Sequence, residues 1–151
     1  LLQKVDPKVK KLQAIILLPT RELAIQVAEE MRRLAKFMHG TKVLPIYGGQ
    51  DIVKQIRSLK DGTQIVVGTP GRVLDLIKRG WMKVDHLKHF VVDECDHIME
   101  SVKMRADLQS IFMACPIDKQ VMMFTATLPA AVKTVCLKFM KDVSILRSSE
   151  W

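Results

Sequence analysis

The chain has 151 residues, 48% hydrophobic and 26% charged, which is typical of a single globular domain. No apolar run approaches the roughly 20 residues that a membrane helix needs, and the first residues resemble neither a signal nor a transit peptide, so we expect an intracellular protein without membrane contact. Lysine and arginine outnumber aspartate and glutamate by 24 to 16, and the resulting charge of +8 weakly favours a polyanionic partner.

The first half of the chain alternates between strand-like and helix-like patterns. The apolar run at residues 12–18 predicts a buried parallel strand, and residues 22–38 repeat apolar side chains at helical spacing before Gly40 ends the pattern. A strand is then predicted at 43–47, a helix from Asp51, and another strand at 64–67.

The second half continues the alternation. We predict a helix that ends at Gly80, a short buried strand at 90–92, a helix broken by Pro116, a strand at 121–124, a helix at 132–140 and a possible strand at 143–146. Short connections between strands and helices indicate parallel units with right-handed crossovers, hence a layered α/β sheet. In such sheets ligands bind at the carboxyl ends of the strands.

Two of these strand ends carry an arginine at the start of a helix, and a third carries two glycines. Thr20 and Thr69 each precede a predicted helix and are expected to cap it, leaving exposed N–H groups beside Arg21 and Arg72. The glycines at 48 and 49 either let a ligand approach the backbone or simply turn the chain. Each feature alone is ordinary helix capping or turning, but three along one edge suit a row of phosphates, as in a polynucleotide backbone.

Two further strand ends carry oxygen ligands. Asp93, Glu94 and Asp96 follow the strand at 90–92; such carboxylates either anchor Mg²⁺ and orient a hydrolytic water or merely cap a helix. Thr125 and Thr127 bracket an alanine after the strand at 121–124 and could bond to a neighbouring carboxylate. The three cysteines and four histidines show no zinc-ligand spacing, which argues against a tightly bound transition metal.

Together these segments resemble, over nearly the whole chain, the first RecA-like lobe of DEAD-box RNA helicases. The resemblance implies a three-layer α/β/α fold with a mostly parallel sheet, incomplete at its N-terminus, so that residues 1–151 form a partial lobe without the second lobe. It assigns Pro19-Thr20-Arg21-Glu22-Leu23-Ala24 to motif Ia, Gly48-Gly49 to the GG element and Thr69-Pro70-Gly71-Arg72 to motif Ib. It assigns Asp93-Glu94-Cys95-Asp96 to motif II and Thr125-Ala126-Thr127 to motif III.

The same resemblance implies roles for these residues. Motif Ia, the GG element and motif Ib would hold RNA, single-stranded or duplex, by its backbone; Asp93 would bind Mg²⁺ through water, Glu94 would position the hydrolytic water, and Asp96 would bond to Thr125 and Thr127. ATP and Mg²⁺ are the implied cofactors, and a second RecA-like lobe is an implied partner. Cys95 makes motif II the DECD variant, similar to a subgroup in mRNA splicing and export, which implies a nuclear protein; outside that subgroup we expect a cytoplasmic one.

One expected element is missing from the sequence. A phosphate-binding loop needs Gly, four residues, then Gly-Lys-Ser/Thr, and none of the seven glycines is followed by lysine. We therefore expect no ATP hydrolysis by these 151 residues alone, and unpaired strand edges with exposed apolar surface.

The alternatives to a helicase segment are a non-hydrolysing RNA-binding or protein-interaction fragment and, more remotely, a metabolic α/β enzyme for a small phosphorylated substrate.

Overall fold

The computed structural model describes residues 1–146 and contains five strands and six α-helices within them. A short 3-10 helix at Leu2–Lys4 comes first. The strands are β1 (Ala14–Leu17), β2 (Val43–Ile46), β3 (Ile65–Gly68), β4 (His89–Val92) and β5 (Gln120–Met123). The helices are α1 (Arg21–Leu34), α2 (Ile52–Lys60), α3 (Pro70–Lys78), α4 (Cys95–Glu100), α5 (Val102–Ala114) and α6 (Ala130–Leu137).

All five strands are parallel and lie in the order β2-β3-β1-β4-β5. The chain moves from β1 outward to β2 and then returns through β3 toward β4 and β5. Because a right-handed crossover places its helix on one face for one direction of travel and on the other face for the reverse, α1 should lie opposite the later helices. The core agrees, since α1 packs on one face of the sheet and α2 to α6 on the other.

Side chains from the central strands alternate between these two faces. Ile15, Leu17 and Phe90 enter the larger cluster beneath α2 to α6, whereas Ile16 and Val91 enter the smaller cluster beneath α1. All four residues of β1, β3 and β4 are buried, as expected of strands covered on both sides. The predicted three-layer α/β/α architecture with a parallel sheet is therefore confirmed.

Several element boundaries differ from the predictions by a few residues, and three differences are larger or change an element. The first helix ends at Leu34 rather than near residue 38, because the chain then forms successive tight turns in which Met38 N–H donates to the Ala35 carbonyl. The region after β4 contains two helices, since the Ser101 hydroxyl accepts from Met104 N–H and starts α5. The strand predicted at 143–146 is wrong, because those residues pair with no strand of the described sheet.

The two outer strands of the sheet differ in how they are protected. In β2 the proline at position 45 removes a backbone donor, a common property of edge strands. Strand β5 is only partly covered, and Phe124 just beyond it is 54% exposed. The reason is that no further strand pairs with β5 among residues 1–146, so its outer side lacks cover. Exposed apolar surface at this edge agrees with the expectation from the sequence.

No helix within the described residues is both long and apolar enough to span a bilayer.

Candidate functional site

The five predicted junctions lie at one edge of the sheet. Because every strand is parallel, all five carboxyl ends point the same way, and each junction follows one of them. The strand order places these segments in the following sequence along the edge: 47–51 after β2, 69–72 after β3, 19–24 after β1, 93–96 after β4, and 125–127 after β5. The glycine- and arginine-bearing junctions thus occupy three neighbouring strands, and the carboxylate and hydroxyl junctions occupy the other two.

The junction after β1 contains the helix cap that the sequence predicts. Thr20 has extended backbone geometry, and its hydroxyl accepts from Leu23 N–H at 3.3 Å, which starts α1. Arg21 donates to the Glu22 carboxylate at 2.6 Å, and both side chains are about two-thirds exposed. An ion pair this exposed contributes little to stability, so the Arg21 guanidinium can exchange Glu22 for a ligand.

The two glycines after β2 leave the backbone open. Gly49 has φ of +81°, a conformation that L side chains rarely adopt, and it belongs to the turn that leads into α2. A Cβ added at Gly48 would meet no atom within 4 Å, so the space above this peptide is empty. Both residues are exposed, and their peptide groups are accessible to a large ligand.

The junction after β3 differs from its prediction in one respect. Thr69 occupies the N-cap position of α3 with Pro70 in the first turn, but its hydroxyl makes no capping hydrogen bond. Gly68 explains why the chain is so close to β2 here, since an added Cβ would lie 2.3 Å from the Ile46 carbonyl oxygen. The expected side-chain cap by Thr69 is therefore wrong, because the residue is held instead by its own N–H, which donates to that same carbonyl.

Arg72 connects the junctions after β2 and β3. Its guanidinium donates to the Gln50 carbonyl oxygen at 3.3 Å and to the Gln55 side-chain oxygen at 3.0 Å. Gln55 is buried on α2 and also donates to the Tyr47 carbonyl at 3.3 Å. Gln55 was not predicted from the sequence, although a polar residue among the buried positions of an amphipathic helix is the signal that could have revealed it. These bonds hold the junction after β2, which contains Gly48 and Gly49, against α3.

The acidic junction after β4 contains an unusual backbone conformation. Glu94 has φ of +49° and ψ of +46°, the left-handed region that a non-glycine residue seldom adopts. It precedes α4, yet its side chain makes no capping hydrogen bond, so the alternative that this acid merely caps the helix lacks support. Asp93 Oδ1 accepts from Glu94 N–H at 3.0 Å, and both carboxyls are partly exposed at the edge. Strained residues of this kind cluster at functional sites.

Asp96 is the buried member of the acidic junction. Its side chain is almost fully covered, and Thr127 donates its hydroxyl proton to Asp96 Oδ2 across the gap between α4 and the junction after β5. Burial alone would raise the pKa of Asp96, but hydrogen bonds, led by the one from Thr127, hold it below its ordinary value. The Asp96 carboxylate therefore stays ionised and links the two junctions.

Thr125 makes a different contact from the one expected. Its hydroxyl donates to the Thr127 carbonyl oxygen at 2.5 Å and accepts from Thr127 N–H at 3.3 Å. Of the two predicted hydroxyl bonds to Asp96, the one from Thr127 is thus present as a direct hydrogen bond. The role of Thr125 is to close the turn that presents Thr127 to that carboxylate.

A group of possible metal ligands lies at the acidic junction. One ligand atom each from Glu94, Asp96 and His97 fall within 4.8 Å of one another. The predicted pair was Asp93 and Glu94, so the structure adds Asp96 and the exposed His97 as neighbours of Glu94. Carboxylate oxygens are the ligands that Mg²⁺ prefers, so the carboxylates of Asp93 and Glu94 suit that ion, whereas the imidazole of His97 does not.

Comparison with known proteins gives a consistent result. Residues 1–135 match the DEAD/DEAH box helicase family. DEAD-box ATP-dependent RNA helicase 56 of Oryza sativa subsp. japonica is 46% identical over 142 residues, which cover 93% of this chain and 33% of that protein. ATP-dependent RNA helicase WM6 of Drosophila melanogaster is 46% identical over 143 residues, which cover 93% of this chain and 34% of that protein.

Solved structures show the same likeness in three dimensions. A DEAD box protein from Methanococcus jannaschii superposes with a TM-score of 0.83 at 41% identity, covering 93% of this chain and 38% of the other. Saccharomyces cerevisiae Dbp5 bound to RNA and ADP BeF3 superposes with a TM-score of 0.86 at 31% identity, covering 97% and 36%. The chain spans about a third of the length of the curated relatives that it matches.

Proposed function

The chain belongs to the DEAD/DEAH box helicase family, and from that membership we propose that it forms the part of an ATP-dependent RNA helicase that binds the RNA backbone and supplies the acidic residues for ATP hydrolysis. The observation that carries the proposal is the division of the sheet edge. Three phosphate-suited junctions follow the neighbouring strands β2, β3 and β1, and the carboxylate and hydroxyl junctions follow β4 and β5.

The half of the edge above β2, β3 and β1 suits a polynucleotide. It offers the first turns of α1 and α3, the open peptides of Gly48 and Gly49, and the guanidinium of Arg21. Helix starts and backbone N–H groups bind phosphate without reading bases, so RNA binding should be largely independent of sequence. The remaining members of this RNA-binding set are Pro19, Thr20, Thr69, Pro70, Gly71 and Arg72.

The half of the edge above β4 and β5 suits phosphoryl chemistry. Asp93 would hold Mg²⁺ through water, and Glu94 would orient or deprotonate the attacking water. A bound Mg²⁺ would neutralise charge on the phosphates. Asp96 keeps the acidic junction in register with the junction after β5 through its bond to Thr127. Because the 151 residues contain no phosphate-binding loop, we expect no ATP turnover from this chain in isolation.

The decisive experiment replaces Glu94, the acidic residue with left-handed backbone geometry. In the helicase of native length, Glu94→Gln should abolish ATP turnover and leave ATP binding intact, because the amide keeps the shape of the side chain and loses the base. Glu100→Gln, the same change at the exposed end of α4, is the matched control and should turn over ATP normally. Turnover by Glu94→Gln at the control rate would refute the assignment.

The finer biological role is also part of the proposal. Cys95 gives motif II the DECD form, and this supports a role in mRNA splicing or export, with a nuclear location and protein partners from those processes. A second RecA-like lobe would complete the RNA groove. Tagging the native protein and finding it outside the nucleus, without bound mRNA, would contradict this role and leave the helicase assignment intact.

A second candidate is a non-hydrolysing RNA-binding or protein-interaction fragment. The exposed apolar side chains beside β5, among them Phe124 and Leu137, favour it, since such surface commonly marks an interaction site. Salt-dependent RNA binding by a native protein that binds no ATP would support this reading. ATP turnover by the protein of native length would exclude it.

A further inference from the structure

Two cysteines from different helices meet beside the acidic junction. Cys95 begins α4 and Cys136 lies near the end of α6, 41 residues later, and their sulfur atoms are 3.8 Å apart. Both are free thiols and both are buried, at 1% and 6% exposure. The third cysteine, Cys115, is also buried, but within the described residues only Cys95 and Cys136 are in sulfur contact.

A cavity adjoins both cysteines despite their burial. Cys95 and Cys136 line a cavity of about 910 Å³, together with the segment around Phe124 and the end of α6. The cavity opens beside β5, the edge of the sheet that lacks cover in the described residues. A solute the size of hydrogen peroxide is far smaller than this space.

We propose that Cys95 and Cys136 are a redox modification site, a thiol pair that hydrogen peroxide converts to an intramolecular disulfide tying α4 to α6. The sulfurs lie 3.8 Å apart and a disulfide requires about 2.05 Å, so a side-chain adjustment of under about 2 Å closes the bond. The proposal depends on this juxtaposition and does not rest on the proposed helicase function.

The chemistry balances in two steps. One sulfur attacks peroxide, a sulfur–oxygen bond forms as the oxygen–oxygen bond breaks, and one water leaves with the thiol as sulfenic acid. The second sulfur then attacks the sulfenic sulfur, the sulfur–sulfur bond forms as the sulfur–oxygen bond breaks, and the displaced hydroxide takes the second thiol proton and leaves as water. Two electrons pass from the thiols to one peroxide, and a dithiol reductant reverses the change.

The disulfide would act next to the proposed hydrolysis residues. Cys95 stands between Glu94 and Asp96, so drawing its sulfur toward α6 alters the position of the acidic junction. Asp96, the next residue, accepts its bond from Thr127 in the junction after β5, so a shift at the start of α4 affects that bond as well. Forming the disulfide would therefore change the geometry of the acidic junction.

The test is peptide mapping of the purified protein of native length. The folded protein is treated with hydrogen peroxide, blocked with an alkylating agent under denaturing conditions, digested and analysed by mass spectrometry. We expect a linked peptide pair carrying Cys95 and Cys136, loss of both free thiols, and recovery of both after reduction. Oxidation of Met113, which is 75% exposed, confirms that the oxidant acted.

Matched variants separate this pair from general thiol oxidation. Cys115→Ser should still yield the linked peptide, whereas Cys136→Ser should lose it and leave Cys95 as a thiol or a higher oxide. The pKa of Cys115 and that of Cys95 are both raised, the first by burial and the second by its contact with Cys136 and by burial, so sulfur contact and not thiol acidity distinguishes the pair, and Cys115 should form no link. If Met113 is oxidised while Cys95 and Cys136 are both recovered as thiols, or if either links to Cys115 instead, the proposal is overturned. The wild-type result decides the matter even if a variant fails to fold.

Discussion

Replacing Thr127 by valine tests the link between the acidic junction and the junction after β5. Valine keeps the branched shape of threonine and removes the hydroxyl that donates to Asp96. Asp96 as a residue is 4% exposed, so its carboxylate has little water to replace the lost donor. A hydrogen bond to a charged group contributes about 1.5–3 kcal/mol, and because Thr127 is itself exposed, we expect a loss near the lower value.

The expected effect is measurable in urea. With a denaturant slope of about 1–3 kcal/mol per molar, a loss of about 1.5 kcal/mol lowers the unfolding midpoint by about 0.5–1.5 M. Hydrogen exchange of peptides from β4 to β5, measured across a urea series, follows the unfolding of this region separately from the rest of the protein. Thr134→Val is the matched control, since its hydroxyl donates only to the Ala130 carbonyl on the exposed side of α6. We expect its effect to stay within about 0.5 kcal/mol.

The stability lost in Thr127→Val should depend on pH in a direction set by the pKa of Asp96. The pKa of Asp96 is below its ordinary value in the folded chain, so its contribution to stability is complete above the unfolded value of about 3.9 and is lost as the pH falls through the folded value. The gap between wild type and Thr127→Val should therefore be full at neutral pH and close in strongly acidic solution. Equal losses for Thr127→Val and Thr134→Val, or a gap that does not change with pH, would refute this account of Asp96.

Two further predictions concern the other half of the edge. Gly68→Ala should destabilise the protein by about 1–3 kcal/mol in urea unfolding, because the new methyl group would lie 2.3 Å from a backbone oxygen of β2; Gly71→Ala, whose nearest neighbour lies at 3.6 Å, should cost clearly less, and equal costs would contradict the packing argument. Arg72→Lys should weaken RNA binding in the native protein with little change in its dependence on salt, because lysine keeps the positive charge but does not reproduce the two bonds that Arg72 Nη1 donates to Gln50 and Gln55. Arg79→Lys, on an exposed pair at the far end of α3, should bind RNA as wild type does, and equal losses in both variants would contradict a specific role for Arg72.

Much of the fold was predictable because its signals are local. The apolar run at residues 12–18 and the helical spacing from residue 22 depend only on neighbouring side chains, and the structure confirms a strand and a helix there. Thr20 was identified as a cap for the same reason, since a cap bonds within one turn. Thr69 shows the limit of such reasoning, because a contact with the neighbouring strand β2 determines its conformation.

Family membership and the identity of each junction follow from the sequence by itself, because they depend on which residues end each strand. Only the tertiary structure decided the lateral order of the strands, which separates the phosphate-suited junctions from the acidic ones and leaves β5 partly uncovered. The bond between Asp96 and Thr127, 31 residues apart, was expected only from the family resemblance, and the contact between Cys95 and Cys136, 41 residues apart, was found only in the structure. The physical reason is that a periodic pattern specifies which face of an element is buried, whereas the partner across that face is selected by packing of the whole chain.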